Sequence, residues 1–325
     1  MYSLLVLIPF NRAYRKRLLE VASDACEITF VEPGRSIQTY AAQLERADIL
    51  LGDPEPGDLQ YCKNLRFMQT TWAGVDHYLN CGSFPQTAVL CNMTGAYGPV
   101  IAEHEMGVIL ALCRQIPQYL GNQRNRKWER TGTGKSLEDA VALILGAGDI
   151  GQELARRLRP FVREIIGVRR VPRGIPRDFD RMITLAELDQ NLPLADVVAC
   201  SLPDTPATHH LFNADRLRLM KEDAIFVNVG RGGLVVSDDL AAVMEEGRFW
   251  GVSLDVTEPE PLPRDHPLWG QERILITPHV SGSNFGSGSP TERRIRDFSI
   301  HNLENYLHGR PLENVVDFST GYRKL

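Results

Sequence analysis

The chain has 325 residues, 43% hydrophobic and 24% charged, with a formal net charge of −5. These are globular proportions that exclude a disordered or fibrous chain, and the length passes the size at which one core keeps growing, so two domains are expected. The mild acidity gives no general attraction for phosphate backbones or anionic membranes, so neither nucleic acid nor a membrane is an expected partner.

The opening Tyr2-Ser-Leu-Leu-Val-Leu-Ile8 is apolar but short and runs into Asn11-Arg-Ala-Tyr-Arg-Lys-Arg17, the reverse of a signal peptide's charge order. It reads as a first strand, and a cytoplasmic protein is expected. No apolar run reaches the roughly 18 to 20 residues of a membrane-spanning helix. Cys26, Cys62, Cys81, Cys91, Cys113 and Cys200 are scattered without CxxC pairs or a histidine at ligand spacing, which predicts reduced, mostly buried thiols and no metal site. Asn92-Met-Thr94 spells a glycosylation acceptor that has no meaning without a secretory signal.

Short apolar strand candidates alternate with helical patterns almost throughout, the pattern of parallel sheets covered on both faces. Strands are predicted at Leu4–Ile8, Ile28–Phe30, Ile49–Leu51, Phe67–Gln69 and Val89–Leu90. From Pro99 one long amphipathic helix is expected through Val100, Ile101, His104, Val108, Ile109, Leu112 and Ile116, with proline in the first turn where its missing N–H costs nothing. Further strands follow at Val141–Leu145, Ile165–Val168, Val197–Ser201, Ile225–Asn228, Val252–Leu254 and Ile274–Ile276. A helix after Ser237, read as its N-cap, stops at Gly247. After the glycine- and serine-rich stretch from Ser281 to Ser289, a last helix carries Ile295, Phe298, Ile300, Leu303 and Leu307 and ends at Gly309 before Pro311. The fold expected is α/β with two domains: a Rossmann-type doubly wound parallel sheet over 98–285, and a smaller flavodoxin-like α/β substrate domain over 1–97 and 286–325. Two crossings of the chain would leave a cleft between them, a common place for a ligand.

The strand Val141–Leu145 runs into Gly146-Ala-Gly-Asp-Ile-Gly151, and Gln152, Leu154, Ala155 and Leu158 follow at helical spacing. In that order Gly146 permits the tight turn, Gly148 lets the backbone approach a pyrophosphate, and Gly151 allows close packing of helix on strand. The first turn, Asp149 and Ile150 included, would add free N–H donors and a positive dipole end. Gly134-Lys-Ser136 imitates the end of a P-loop, but Glu129 stands where its first glycine belongs and no strand precedes it, so an interdomain loop is expected. At the tip of the next strand an NAD site carries an acidic residue for the ribose; here the tip is Val168-Arg169-Arg170, and Glu164 sits at the opposite end. Two guanidiniums favour the 2′-phosphate of NADP, with NAD as the second choice.

In an open parallel sheet, ligands bind beyond the carboxyl ends of the strands. Four of these ends deliver Leu202-Pro203, Val229-Gly-Arg231, Asp255 and Thr277-Pro-His279, with Glu260 on the loop after Asp255. Reducing a 2-oxo acid needs a cation for the carboxylate, which suits Arg231. It needs a proton donor for the carbonyl oxygen, which suits His279, and a carboxylate to keep that donor charged, which suits Glu260.

The stretches Asn228-Val-Gly-Arg-Gly-Gly233, Leu254-Asp-Val-Thr-Glu-Pro-Glu-Pro-Leu262 and Thr277-Pro-His-Val-Ser-Gly282 resemble the motifs of the D-isomer-specific 2-hydroxyacid dehydrogenases. Thr70-Thr-Trp-Ala-Gly-Val-Asp76 resembles their substrate loop, Ala102-Glu-His104 their interdomain helix, and Leu202-Pro-Asp-Thr-Pro-Ala-Thr208 their cofactor loop. The likeness continues to Pro311-Leu-Glu-Asn-Val-Val-Asp317. It implies a hydride transfer between a nicotinamide dinucleotide and a small 2-oxo acid or D-2-hydroxy acid, with Arg231, Glu260 and His279 catalytic. It implies that the amides of Ala73 and Gly74 grip the substrate carboxylate and that Asp255 holds the nicotinamide carboxamide, while Trp72, where relatives vary, either shapes substrate choice or serves in packing. Leu202, Pro203, Thr208, Val229, Gly230, His279 and Ser281 complete the cofactor set, and a homodimer is implied. Val162 and Ala140 depart from the family's usual residues and raise a question about local geometry beside the nucleotide fold. Glu260, where formate dehydrogenases carry glutamine, speaks against that reaction. A dinucleotide-sensing corepressor on the same scaffold is the alternative reading.

Overall fold

The computed structural model describes residues 1–32, 34–35, 37–171, 174–282 and 288–321. It separates into two units, one of residues 1–96 and 284–325 and the other of 97–283. The expected boundary between 285 and 286 falls outside the described residues.

The first unit is built on β1 (Tyr2–Val6), β2 (Cys26–Phe30), β3 (Ile49–Leu51), β4 (Phe67–Gln69) and β5 (Val89–Cys91), with helices α1 (Arg12–Ala22), α2 (Ala41–Arg46) and α3 (Asp76–Leu79) between them. All strands are parallel, in the order β2-β1-β3-β4-β5. Leu4, Val6, Ile49, Leu51 and Phe67 face one core and Leu5, Leu50 and Met68 another, as the period of two requires when both faces are covered. The sheet order reverses between β1 and β3, which places Gly52-Asp53 at the switch point.

The second unit begins with α4 (Gly98–Cys113) and α5 (Ile116–Arg124). The single long helix expected here is two: Gln115 adopts φ +55°, and Pro117 in the first turn of α5 lacks the N–H that would continue α4. The sheet comprises β6 (Val141–Leu145), β7 (Glu164–Val168), β8 (Arg181–Ile183), β9 (Val197–Cys200), β10 (Ile225–Asn228), β11 (Gly251–Leu254) and β12 (Ile274–Ile276). It is parallel throughout, ordered β12-β11-β10-β9-β6-β7-β8, a doubly wound sheet whose order reverses between β6 and β9. β8, which the sequence reading passed over, is a three-residue edge strand whose pattern runs exposed, half-buried, buried. Helices α6 (Asp149–Leu158), α7 (Leu188–Asn191), α8 (Ala214–Leu219) and α9 (Ser237–Glu245) lie between strands.

Ser237 is not an N-cap. Its hydroxyl donates to the Glu258 carbonyl (2.8 Å), and no side chain caps α9, which does end at Gly247 with φ +84°. The Gly134–Ser136 stretch lies inside the second unit, not between units, with Lys135 Nζ on both the carbonyl (2.7 Å) and the carboxylate (2.6 Å) of Asp223. Val162 and Ala140 are buried beside β6 and β7, whose register runs unbroken from Val141↔Glu164 to Leu145↔Val168.

The last helix, α10 (Pro290–Leu307), starts on a Ser289 cap and completes the first unit's core with Ile300 and Leu303. The cysteines are free thiols; burial pushes Cys26 and Cys113 up to about 11 and Cys62 and Cys91 to about 12, which keeps them unreactive. Among the described residues no helix is long and apolar enough to cross a membrane.

Candidate active site

At the switch point of the larger sheet, three glycines behave differently. Gly146 has φ +102°, and a Cβ there would stand 2.8 Å from Ser201 Oγ. At Gly151 a Cβ would meet the Gly146 carbonyl oxygen at 2.1 Å, so only glycine lets α6 sit this close to β6. A Cβ at Gly148 would find no protein atom within 4 Å. The middle glycine therefore borders open space, as a turn that admits a phosphate requires. Asp149 opens α6, and its carboxylate accepts from the Gly98 amide at 3.0 Å, tying α6 to the start of α4. Ile150 follows in the same first turn. Arg169 sends Nε and Nη2 to the Ala147 carbonyl (2.9 and 2.6 Å), bracing the glycine turn, and Arg170 beside it is exposed. Glu164, at the far end of β7, pairs with Arg181 at 2.7 Å.

Across the switch point, Ser201-Leu202-Pro203 leaves β9. Thr208, 1% exposed, fixes this loop by donating to the Pro203 carbonyl (2.6 Å) and accepting from the Thr205 amide (2.9 Å). The loop after β10 abuts it: a Cβ on Gly230 would lie 2.5 Å from the Leu202 oxygen. Asn228 closes the Val229-Gly230-Arg231 turn, accepting from the Gly230 amide (3.1 Å) and donating to the Arg231 carbonyl (2.9 Å). Arg231 has an extended backbone and a half-buried side chain whose Nη1 donates to the Gly230 carbonyl at 2.8 Å.

Asp255, 2% exposed at the end of β11, organises the next loop. It accepts from Thr277 Oγ1 (2.6 Å) and from the amides of Val280 and Ser281 (2.9 Å each), and its carbonyl accepts from the His279 amide at 2.8 Å. Burial alone would raise this carboxyl, but the bonds from Ser281, Thr277 and Val280 outweigh it and hold Asp255 below the ordinary carboxylate range. The loop so held sets His279 at φ +53°, with Nδ1 2.8 Å from Glu260 Oε1. Arg231, Asp255 and His279 thus leave three adjacent strand ends, and Glu260 reaches back to the histidine. The sequence reading did not foresee how much of Asp255 is spent on the loop itself.

In the smaller unit, Thr70–Asp76 follows β4. Asp53, at that sheet's switch point, accepts from the Thr71 amide at 2.9 Å and from both Thr70 and Thr71 hydroxyls. Desolvation raises its carboxyl despite those bonds. The Ala73 carbonyl accepts from Asn92 Nδ2 (2.9 Å) and the Trp72 carbonyl from the Met93 amide (2.9 Å). Among the described residues, no hydrogen-bond acceptor stands on the Ala73 or Gly74 amide. Trp72 is 51% exposed, so it is no core residue. Buried Gln69 donates to the carbonyls of Thr70, Cys91 and Asn92 and accepts from Asn302 Nδ2 of α10 at 2.8 Å. The sequence assigns no site role to Asp53, Gln69 or Asn302, and reads Asn92 only as a glycosylation acceptor. The strand-end rule applied to β3 would have found Asp53, which directly follows Gly52.

The family model described as D-isomer specific 2-hydroxyacid dehydrogenase, NAD binding domain, matches residues 106–281. The chain belongs to this family. This dehydrogenase is 34% identical over 264 residues to the human glyoxylate reductase/hydroxypyruvate reductase, covering 78% of this chain and 77% of the relative. Among solved structures, a D-isomer specific 2-hydroxyacid dehydrogenase family protein from Aeromonas salmonicida superposes with a TM-score of 0.84 at 33% identity, covering 98% of this dehydrogenase and 99% of that chain. The NADPH-dependent glyoxylate/hydroxypyruvate reductase of Sinorhizobium meliloti, solved with NADP and sulfate, matches with a TM-score of 0.80 at 27% identity over 99% and 100% of the two chains. The dehydrogenase is accordingly an oxidoreductase that works with a nicotinamide dinucleotide.

Proposed function

We propose that this dehydrogenase reduces a small 2-oxo acid of the glyoxylate or hydroxypyruvate class to its 2-hydroxy acid, the D isomer where C2 is chiral, with NADPH preferred over NADH. The observation that carries the reading is the pair His279–Glu260, 2.8 Å apart on a loop pinned by Asp255. A histidine bonded at Nδ1 to a carboxylate keeps Nε2 as a proton donor of fixed direction. The names of the human and Sinorhizobium relatives support the substrate class.

The open side of Gly148 and the first-turn amides of Asp149 and Ile150 would hold the pyrophosphate. Arg169 and Arg170 would face the 2′-phosphate. Leu202, Pro203, Thr208, Val229, Gly230 and Ser281 would line the rest. Asp255 has about four acceptor positions, and with three taken the last would meet the carboxamide. When bound, the reduced nicotinamide supplies the hydride that adds to C2 of the 2-oxo acid.

The protein's own part is placement and proton supply. Ala73 and Gly74 would donate their amides to the substrate carboxylate, Arg231 would meet it with a guanidinium fork, and Trp72 would limit the size of the group carried on C2. His279 Nε2 gives its proton to the carbonyl oxygen as C2 becomes tetrahedral, and Glu260 offsets the imidazolium charge before that transfer. In this reading the smaller unit is the substrate domain and the larger the dinucleotide-binding domain. We infer further that the protein is a cytoplasmic homodimer, and half-exposed Ile116 and Leu120 with fully exposed Trp128 offer apolar surface suited to a second copy.

The test is a panel of 2-oxo acids from glyoxylate to branched and aromatic acids, run with NADPH and with NADH, followed by chiral analysis of the products. Rapid NADPH oxidation with small acids is expected. Tight dinucleotide binding with negligible turnover on every acid would instead mark a sensor, and equal or better use of NADH would defeat the cofactor preference.

A further inference from the structure

Apart from the proposed catalytic residues, two histidines adjacent in sequence meet a glutamate that lies two residues before Glu260. Among the described residues His209, His210 and Glu258 form the cluster of nitrogen and carboxylate ligands with one atom from each within 4.8 Å of the others. The two imidazoles stack with centroids 3.9 Å apart and planes inclined by 25°, and His210 Nε2 lies 2.7 Å from Glu258 Oε2. His209 Nδ1 lies 3.1 Å from the Asp204 carboxylate, which leaves Nε2 for an ion.

The backbone holds these groups in place. His210 sits at φ +52°, with its amide donating to the Gly233 carbonyl at 2.6 Å. A Cβ on Gly233 would stand 2.3 Å from Asp204 Oδ2 and 3.1 Å from His209 Nδ1, so glycine is needed there for the pair to form. Glu258 is fixed through its carbonyl by Ser237. His266 and Asp238, 3.2 Å apart, line the same cavity as His210 and Glu258 and offer further polar groups.

We propose that His209, His210 and Glu258 bind one divalent transition-metal ion of the zinc class. Two imidazole nitrogens and one carboxylate oxygen, with the fourth position left to water, are a common zinc ligand set, and imidazole nitrogen disfavours magnesium or calcium. The carboxylate behind His209 is the outer partner that metal-bound histidines usually have; it orients the ring and makes Nε2 a better donor. Ligands of a tetrahedral zinc stand about 3.3 to 3.6 Å apart, so on loading the His210–Glu258 pair opens from its 2.7 Å hydrogen bond to admit the ion between the two atoms. Asp204 acts as a positioning residue. An ion here would join the loop after β9 to the loop that carries Glu260 two residues further on. The proposal does not depend on which 2-oxo acid the enzyme reduces.

The test is calorimetric titration of chelator-treated full-length protein with Zn²⁺, alongside thermal unfolding with and without the ion. One equivalent should bind and raise Tm. His210→Ala and Glu258→Gln should each weaken binding by tenfold or more and remove the Tm rise, while keeping the wild-type Tm in chelator. Asp204→Asn should weaken binding severalfold. Retained binding in both His210→Ala and Glu258→Gln would overturn the site, as would loss of binding in His279→Ala or His266→Ala but not in His210→Ala. Absence of any Zn²⁺ binding to the wild type would overturn it too.

Discussion

His279 Nδ1 stands 2.8 Å from Glu260 Oε1, while the backbone amide of the same histidine is held by the Asp255 carbonyl at 2.8 Å. Both restraints on this histidine come from the end of β11 and the loop that follows it. Glu260→Gln keeps a hydrogen-bonding group and removes the charge, and should lower kcat by about 10² with little change in dinucleotide affinity. His279→Ala should lower kcat by about 10³ or more. Steady-state kinetics beside fluorescence titration of the reduced dinucleotide checks both, and near-normal kcat in the alanine variant would remove the histidine from the chemistry.

Arg231 should act on substrate more than on cofactor. Arg231→Ala is expected to reduce kcat/KM for 2-oxo acids by roughly 10² to 10³, about 3 to 4 kcal/mol of lost transition-state stabilisation. Arg231→Lys should restore little of it, because a point charge lacks the fork. Unchanged 2-oxo acid kinetics in the alanine variant would refute the role.

The glycine turn separates folding from binding. Gly148→Ala adds a Cβ to open space, so Tm should hold while dinucleotide affinity drops by about tenfold or more. Gly151→Ala drives a Cβ to 2.1 Å from the Gly146 oxygen and should destabilise the larger unit by about 2 to 3 kcal/mol. Denaturant unfolding of both variants, paired with dinucleotide titration, reads the contrast.

Arg170 offers a cleaner probe of cofactor choice than Arg169, whose guanidinium also braces Ala147. Arg170→Ala should raise KM for NADPH by about tenfold and leave KM for NADH nearly unchanged, the difference lying in charge-assisted bonds to one phosphate. Equal effects on the two would show that this arginine does not read the phosphate.

Two aspartates, buried Asp255 and half-buried Asp53, should respond oppositely to pH. Asp255 is held below the ordinary carboxylate range, so its ionised form stabilises the fold above the unfolded pKa, and that contribution is lost as pH falls through the lowered value. Asp255→Ala should cost about 2 to 4 kcal/mol near neutrality and progressively less in acid. Asp53 is raised by desolvation, so its contribution is present in acid and lost as pH rises through the raised value. Asp53→Asn should therefore gain stability relative to wild type as pH rises. Urea unfolding of each variant across the acid-to-neutral range checks the two signs.

Strand positions were legible because each β-run is a short apolar stretch closed by a turn residue, as in Ile49–Leu51, Phe67–Gln69 and Ile225–Asn228. β8 was not, since an edge strand with Arg181 at its start shows no continuous apolar run. Nor was the break at Gln115, because the hydrophobic spacing continues to Ile116 across it. Within the site, the glycine turn could be read from local order alone, whereas Glu260 and His279 are 19 residues apart and each is ambiguous by itself. Their pairing was anticipated through the family's motifs. Ser237 illustrates a different limit: a serine before a helix reads as a cap, yet its hydroxyl is claimed by the Glu258 carbonyl. Gln69 and Asn302 give no signal in the sequence, and Asn92 reads there only as a glycosylation acceptor, because a polar side chain looks solvated until the fold surrounds it.

The tie from Asn302 to Gln69, with Ile300 and Leu303 in the same core as Phe67, has a consequence for biosynthesis. The amino-terminal unit lacks its closing helix until the ribosome has also made residues 97–283, an interval of roughly 10 to 40 s at ordinary elongation rates. During it the larger unit can fold completely while the earlier one keeps an apolar face uncovered. The segment made before residue 97 thus matures after the longer one that follows it, and it carries the greater need for a chaperone.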